Sequence, residues 1–146
     1  MSQPRGEPEA PHPHLSAMLI CDRAIREVGT NMVTLVRIFD GIAFPTFPAT
    51  YAAPLSVYAR LTDAAGKYRM RLELVRLDDE QAIGRAEVEA ESLDRLRPHE
   101  LTYNIQGIRF ERPGAYEFRL FANDRYLGGM ILNVVHVEQA HEGGPR

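Results

Sequence analysis

Pro113-Gly114-Ala115-Tyr116-Glu117-Phe118-Arg119-Leu120-Phe121-Ala122-Asn123-Asp124-Arg125-Tyr126-Leu127-Gly128-Gly129-Met130-Ile131-Leu132-Asn133-Val134-Val135 is the stretch that decides the fold. Tyr116, Phe118 and Leu120 alternate with Glu117 and Arg119. One side of the segment is therefore apolar and the other charged, as a strand laid on a core requires. Asn123 and Asp124 tolerate positive φ and hydrogen-bond their own backbone, so they turn the chain into a second strand through Met130, Leu132 and Val134. The run is a β-hairpin that closes a sheet.

Working back from it, Glu111-Arg112-Pro113-Gly114 is a turn, and Leu101, Tyr103 and Ile105 alternate with Thr102, Asn104 and Gln106 as a preceding strand. Ser92 to Glu100 is the only polar stretch with helical character, and Pro98 reduces it to a crossover loop. Leu55 to Thr62, Tyr68 to Leu74 and Arg85 to Glu91 each alternate with period two. The charges on the last two set their register. With Arg71 opposite Glu87, Arg69 meets Glu89 and Glu73 meets Arg85, whereas a shift of two would oppose Glu73 to Glu87. Exposed pairs contribute only about 0.2 to 1 kcal/mol each, but they all favour the first register. It leaves a three-residue loop at Asp78 to Glu80, and the apolar phase slips beside Gly84, as a β-bulge there would cause.

Leu15 to Arg26 and Met32 to Phe39 make a first hairpin around Val28-Gly29-Thr30-Asn31. Ile42 to Pro54 carries Pro45, Pro48 and Pro54, which cannot donate to a ladder, so it crosses from one sheet to the other. The expected fold is all-β: a single antiparallel β-sandwich, immunoglobulin-like, of seven to eight strands. Tyr116, after a Pro-Gly turn, stands where a tyrosine corner belongs. The immunoglobulin disulfide and core Trp are missing, since the chain has a single Cys and no Trp. Residues 1–14, with proline at 4, 8, 11 and 13, form a disordered Pro-rich arm, 15–137 the domain and 138–146 a flexible tail.

At 146 residues with 45% apolar and 25% charged content, the chain fits one domain with a real core. A net charge of −3 argues against nucleic-acid binding through bulk electrostatics. The lone Cys21 rules out an intrachain disulfide and favours a reducing, cytoplasmic setting. The first fourteen residues lack the apolar segment of a secretory signal, and the apolar run Leu15 to Cys21 is too short to span a membrane.

Ala17-Met18-Leu19-Ile20-Cys21-Asp22, Ile38-Phe39-Asp40, Tyr58-Ala59-Arg60-Leu61-Thr62-Asp63 and Pro113 through Asp124 resemble a family of short bacterial proteins of unknown function. The resemblance spans about residues 15 to 137. It implies a small β-sandwich and brings no catalytic residue, cofactor or partner.

Chemistry is sparse. Cys21 beside Asp22, with His99 or His136 as base, is the only nucleophile arrangement to weigh, and a small thiol in an apolar strand is ordinarily a core residue. His12 and His14 in the arm lack further ligands for a metal. Asp22, Asp40, Asp63 and Asp124 each end a strand. Gathered at one end they would suit Ca²⁺, which takes about six to eight oxygens; singly they cap turns or pair with Arg23, Arg60 or Arg125. Gly128-Gly129 and Gly143-Gly144 lack the helix and Lys of a phosphate loop. The expectation is a non-enzymatic protein–protein interaction or structural module without cofactor, meeting another protein or a second copy through an edge strand or sheet face. Asp124, Arg125 and Tyr126 mark a possible interaction tip. The alternative is a small-ligand or Ca²⁺-binding domain using the strand-end carboxylates and Phe44, Tyr51 and Tyr58.

Overall fold

The computed structural model describes residues 10–138, which form eleven strands and no helix. In chain order they are β1 (His14–Arg26), β2 (Val33–Ile38), β3 (Gly41–Phe44), β4 (Ala49–Tyr51), β5 (Leu55–Thr62) and β6 (Gly66–Arg76), followed by β7 (Gln81–Ser92), β8 (His99–Ile105), β9 (Ile108–Phe110), β10 (Gly114–Ala122) and β11 (Arg125–His136). They assemble into a four-stranded sheet, β2-β1-β5-β8, a five-stranded sheet, β3-β11-β10-β6-β7, and a small ladder, β4-β9.

The inner faces of the two large sheets share one core. Met18, Ile20, Val57 and Leu61 come from the first sheet, and Met70, Leu72, Phe118, Leu120 and Leu132 from the second. The period-two pattern of the closing hairpin is realised directly: Tyr116, Phe118, Leu120 and Ala122 are buried while Glu117, Arg119 and Phe121 face outward. Tyr116 packs edge-to-face on Phe110 at 5.0 Å. Its hydroxyl donates to the Arg112 carbonyl at 2.6 Å, tying the turn before β10 to the core, which is the contact a tyrosine corner makes.

β6 and β7 pair in the register that charge predicts: Arg69 opposite Glu89, Arg71 opposite Glu87 and Glu73 opposite Arg85. The ion pairs nevertheless run elsewhere. Arg71 bonds Glu73 on its own strand at 2.9 Å and Asp124 at 2.5 Å. A long guanidinium stem reaches a neighbour two residues along as easily as one across, so opposite charge set the order of the rows without closing cross-strand contacts. The ladder skips Ile83, since Leu74 pairs Gly84 and Val75 pairs Ala82, which places the bulge beside Gly84.

Several expectations need correction. The second sheet is not purely antiparallel, because β3 lies parallel to β11, carried there by the proline-rich crossing segment. The strand count exceeds seven or eight because that segment and the β8–β10 connection add short β3, β4 and β9. The loop after β6 is Leu77 to Glu80, four residues rather than three, as Arg76 pairs with Gln81. The arm's last residues belong to the domain: Pro13 is buried, β1 starts at His14, and Tyr68 donates its hydroxyl to the Pro11 carbonyl at 2.7 Å. Residues 1–9 and 139–146, the rest of the expected arm and tail, lie outside the described residues.

β1 does not run straight. Cys21 pairs with Ser56 and Ser56 with Asn104, while Glu100 lies level with Arg60 and Ala17. Arg26 is nine positions beyond Ala17, about 30 Å along a straight strand, yet its Nη1 lies 3.2 Å from Glu100. The end of β1 and its partner β2 therefore curl back over the outer face of β5. That curl buries Cys21, Ser56 and Tyr58 on a face that would otherwise meet solvent.

Candidate functional site

The sequence of β7 is unlike that of its neighbour. Facing the core, β6 presents Tyr68, Met70, Leu72 and Leu74, whereas the paired positions on β7 are Ala90, Val88, Ala86 and Gly84. Large side chains on the inner strand and small ones at the edge leave space between the sheets. A cavity of about 380 Å³ opens there, walled by Leu72, Leu74, Ile83, Ile105, Ile108 and Phe118 and floored by Gly84, Ala86 and Gly107. Arg85 and Arg109 complete its lining. Val88 points inward and is still 42% exposed, so this flank of the core is open.

The outer face beside the cavity is ordered by charge. Asp124 receives Arg69 at 2.9 Å and Arg71 at 2.5 Å. The hydrogen bond from Arg71, backed by the charge of Arg69, holds the Asp124 carboxyl below its ordinary range. Arg71 also stacks on Phe121, its guanidinium carbon 4.1 Å from the ring centroid. The next row outward is Glu87, Glu89 and Glu91 on β7. Glu87 holds Arg85 at 3.0 Å, and Glu89 and Glu91 make no ion pair among the described residues. β7 is the last strand of its sheet, so its far edge presents backbone N–H and C=O groups that no strand among the described residues uses.

The expected tip is partly drawn into this arrangement. Asn123 and Asp124 take positive φ, and the Asn123 amide oxygen accepts the Arg69 backbone N–H at 2.8 Å, which fixes the turn over β6. Arg125 lies 3.0 Å from the His12 ring and Tyr126, half exposed, packs on Phe121. The carboxylates do not gather. Asp22 pairs with Arg37, Asp63 with Arg95 and Asp124 with Arg69 and Arg71, so the arginines differ from the sequence neighbours expected. No group of three metal-ligating side chains occurs among the described residues. Phe44 and Tyr51 meet at 6.4 Å in an aromatic cluster against the core, but Tyr58 lies on the other sheet's outer face. There its hydroxyl bonds Glu100, and burial followed by that bond pushes its pKa up to about 12.

Cys21 is fully buried, its Sγ turned to the Arg23 carbonyl at 3.4 Å, and burial first, then the neighbouring Asp22 charge, push the thiol up. His99 begins β8 opposite Leu61 rather than sitting in a loop, and His136 lies against Phe47. Neither hydrogen-bonds the thiol. A feature that sequence reasoning missed is Arg76, 8% exposed, forked onto Asp79 at 3.1 and 2.9 Å. That pair pins the loop between β6 and β7. The small inward residues of β7 were also legible in the sequence, in that Gly84, Ala86 and Ala90 alternate with charge where bulky residues normally pack.

Residues 16–135 match the family of unknown function DUF6941. The chain belongs to that family. The match covers nearly all of the DUF6941 strands, from β1 through β11, in agreement with the resemblance in the sequence. No curated protein matches this DUF6941 chain. Among solved structures, a β-glucosidase from Listeria innocua in complex with isofagomine is similar with a TM-score of 0.41 and 8% identity. The likeness covers 88% of this chain and 17% of that enzyme, so the DUF6941 chain spans less than a fifth of its length.

Proposed function

We propose that this protein is a non-enzymatic interaction module of immunoglobulin-like sandwich form that binds another protein by strand addition to β7. The observation that carries the proposal is the free edge of that strand. β7 is twelve residues long, ends its sheet, and pairs regularly from Gly84 to Ser92. The other edges are less suited: β2 has six residues with Arg37 at positive φ beside Ile38, β3 has four and β8 has seven. A long regular edge offers a peptide backbone a complete set of partners, whereas a short or kinked one interrupts them. Glu87, Glu89 and Glu91 along β7 oppose pairing with an identical edge, which favours a different protein over a second copy. A cytoplasmic setting belongs to the same proposal, since the single thiol is reduced and buried.

A photo-crosslinking amino acid at Ala82 or Glu91, in the cells that make the protein, tests the reading. Crosslinks to one partner from these positions, and none from Thr34 on β2, are expected. Crosslinks from Thr34 alone, or from neither strand, refute it. A second reading, a small apolar ligand, is favoured by the cavity's volume of about 380 Å³, which falls within the usual range of ligand pockets. It requires a thermal shift with an apolar compound that Ala86→Leu removes.

A further inference from the structure

The charge rows and the cavity together describe the segment that β7 would take. We infer that the partner contributes an extended strand whose aliphatic and basic residues alternate; this rests on strand addition at β7. A strand placed beyond β7 continues the pleat, so its residues alternate between the inter-sheet space and the outer face. Inward positions level with Gly84 and Ala86 reach the cavity walled by Leu74, Ile105 and Phe118. The cavity accepts aliphatic groups there because a Cβ at Gly84 would find nothing closer than 3.9 Å. Outward positions level with Glu87, Glu89 and Glu91 meet carboxylates.

The sheet already sets a sequence of signs that the partner extends. Acidic Asp124 is followed by basic Arg69 and Arg71, then by acidic Glu87 and Glu89. Arg69 and Arg71 are committed to Asp124 and Glu73, so their attraction does not saturate the β7 glutamates at contact distance. Glu87 already holds Arg85, so a basic residue on the added strand supplies the contact that Glu89 and Glu91 lack, and it also distinguishes this partner from a second β7. A free amphiphile would use the cavity and ignore the edge.

The test uses the full chain and three fluorescein-labelled decapeptides read by anisotropy: alternating lysine and valine, alternating glutamate and valine, and the lysine–valine composition in two blocks. The first is expected to bind saturably, to weaken with added salt, and to protect β7 amides from hydrogen exchange. Glu87→Lys with Glu89→Lys should weaken it about tenfold or more and favour the glutamate peptide, while Glu138→Lys leaves both unchanged. Ala86→Leu, which fills the cavity, should weaken the lysine–valine peptide by about the same factor without lowering the melting temperature. Equal binding of the glutamate or block peptide, or indifference to the charge reversal, overturns the inference. So does saturable dodecanoate binding, abolished by Ala86→Leu, when no peptide binds. If crosslinks from Ala82 and Glu91 persist while the peptides fail, the partner chemistry alone is wrong; if the crosslinks fail, strand addition itself falls.

Discussion

Replacing Ala86 with leucine should stabilise the protein, which is unusual for a small-to-large change near a core. Ala86 is half-buried, faces inward opposite Leu72 and lines the cavity of about 380 Å³. Leucine adds three carbons to space bounded by Leu72, Ile105 and Phe118. Transfer at about 0.8 kcal/mol per carbon suggests a gain of roughly 2.4 kcal/mol. Ordering the leucine side chain costs about 0.5 to 1 kcal/mol, leaving a net of about 1.5 kcal/mol. For a chain of this size that is a rise in melting temperature of about 3 to 6 °C by calorimetry. Leu72→Ala, which enlarges the same space, should cost about 2 to 5 kcal/mol. A fall of more than about 2 °C for Ala86→Leu would mean that β7 already lies against β8 and β9, and the cavity argument would fail with it.

Tyr116→Phe should destabilise by about 1 to 1.5 kcal/mol in urea titration, because the Arg112 carbonyl loses its donor while the ring packing on Phe110 remains. Arg76 holds the Asp79 carboxyl down at about 2, against an ordinary value of 3.8. The folded state thus binds that proton less readily than the unfolded state, so the pair stabilises above pH about 4 and the contribution is lost as pH falls toward about 2. Asp79→Asn should flatten the acid-unfolding curve over that window, and an unchanged curve would show that the fork does not matter. Cys21 should be silent to Ellman's reagent in the native protein and react fully after unfolding, since its thiol is buried and its pKa raised. Rapid reaction in native buffer would mean that the β1–β2 curl opens.

The strand pattern could be read where a strand is half-buried, because half-burial writes itself into a sequence as alternation, whereas the burial of Ser56 and Tyr58 on the second face of β5 left no such mark. Tyr116 to Ala122 and Tyr68 to Leu74 needed nothing else. The β6–β7 register was readable for a separate reason, the like-charge penalty that only one alignment avoids. Short β4 and β9 were not, because three residues carry too little periodicity to distinguish a strand from a turn. The parallel placement of β3 depends on where β11 already lies, and no residue within Gly41–Phe44 encodes that position.

By itself, then, the sequence determined which residues of the alternating strands face the core, where the main hairpins turn and in what register the charged residues of β6 and β7 pair. These are local properties of alternation, turn chemistry and pairwise charge. Tertiary structure decided which arginine meets which aspartate, because guanidinium stems long enough to span a neighbouring strand choose their partners in three dimensions. It also decided that β1 bends over β5 and buries Cys21, and that the small residues of β7 face a cavity at an open edge. Gly84, Ala86 and Ala90 look like weak strand residues until Leu72, Ile105 and Phe118 are placed around them. Empty space and a free edge belong to the assembly of strands and to no strand alone.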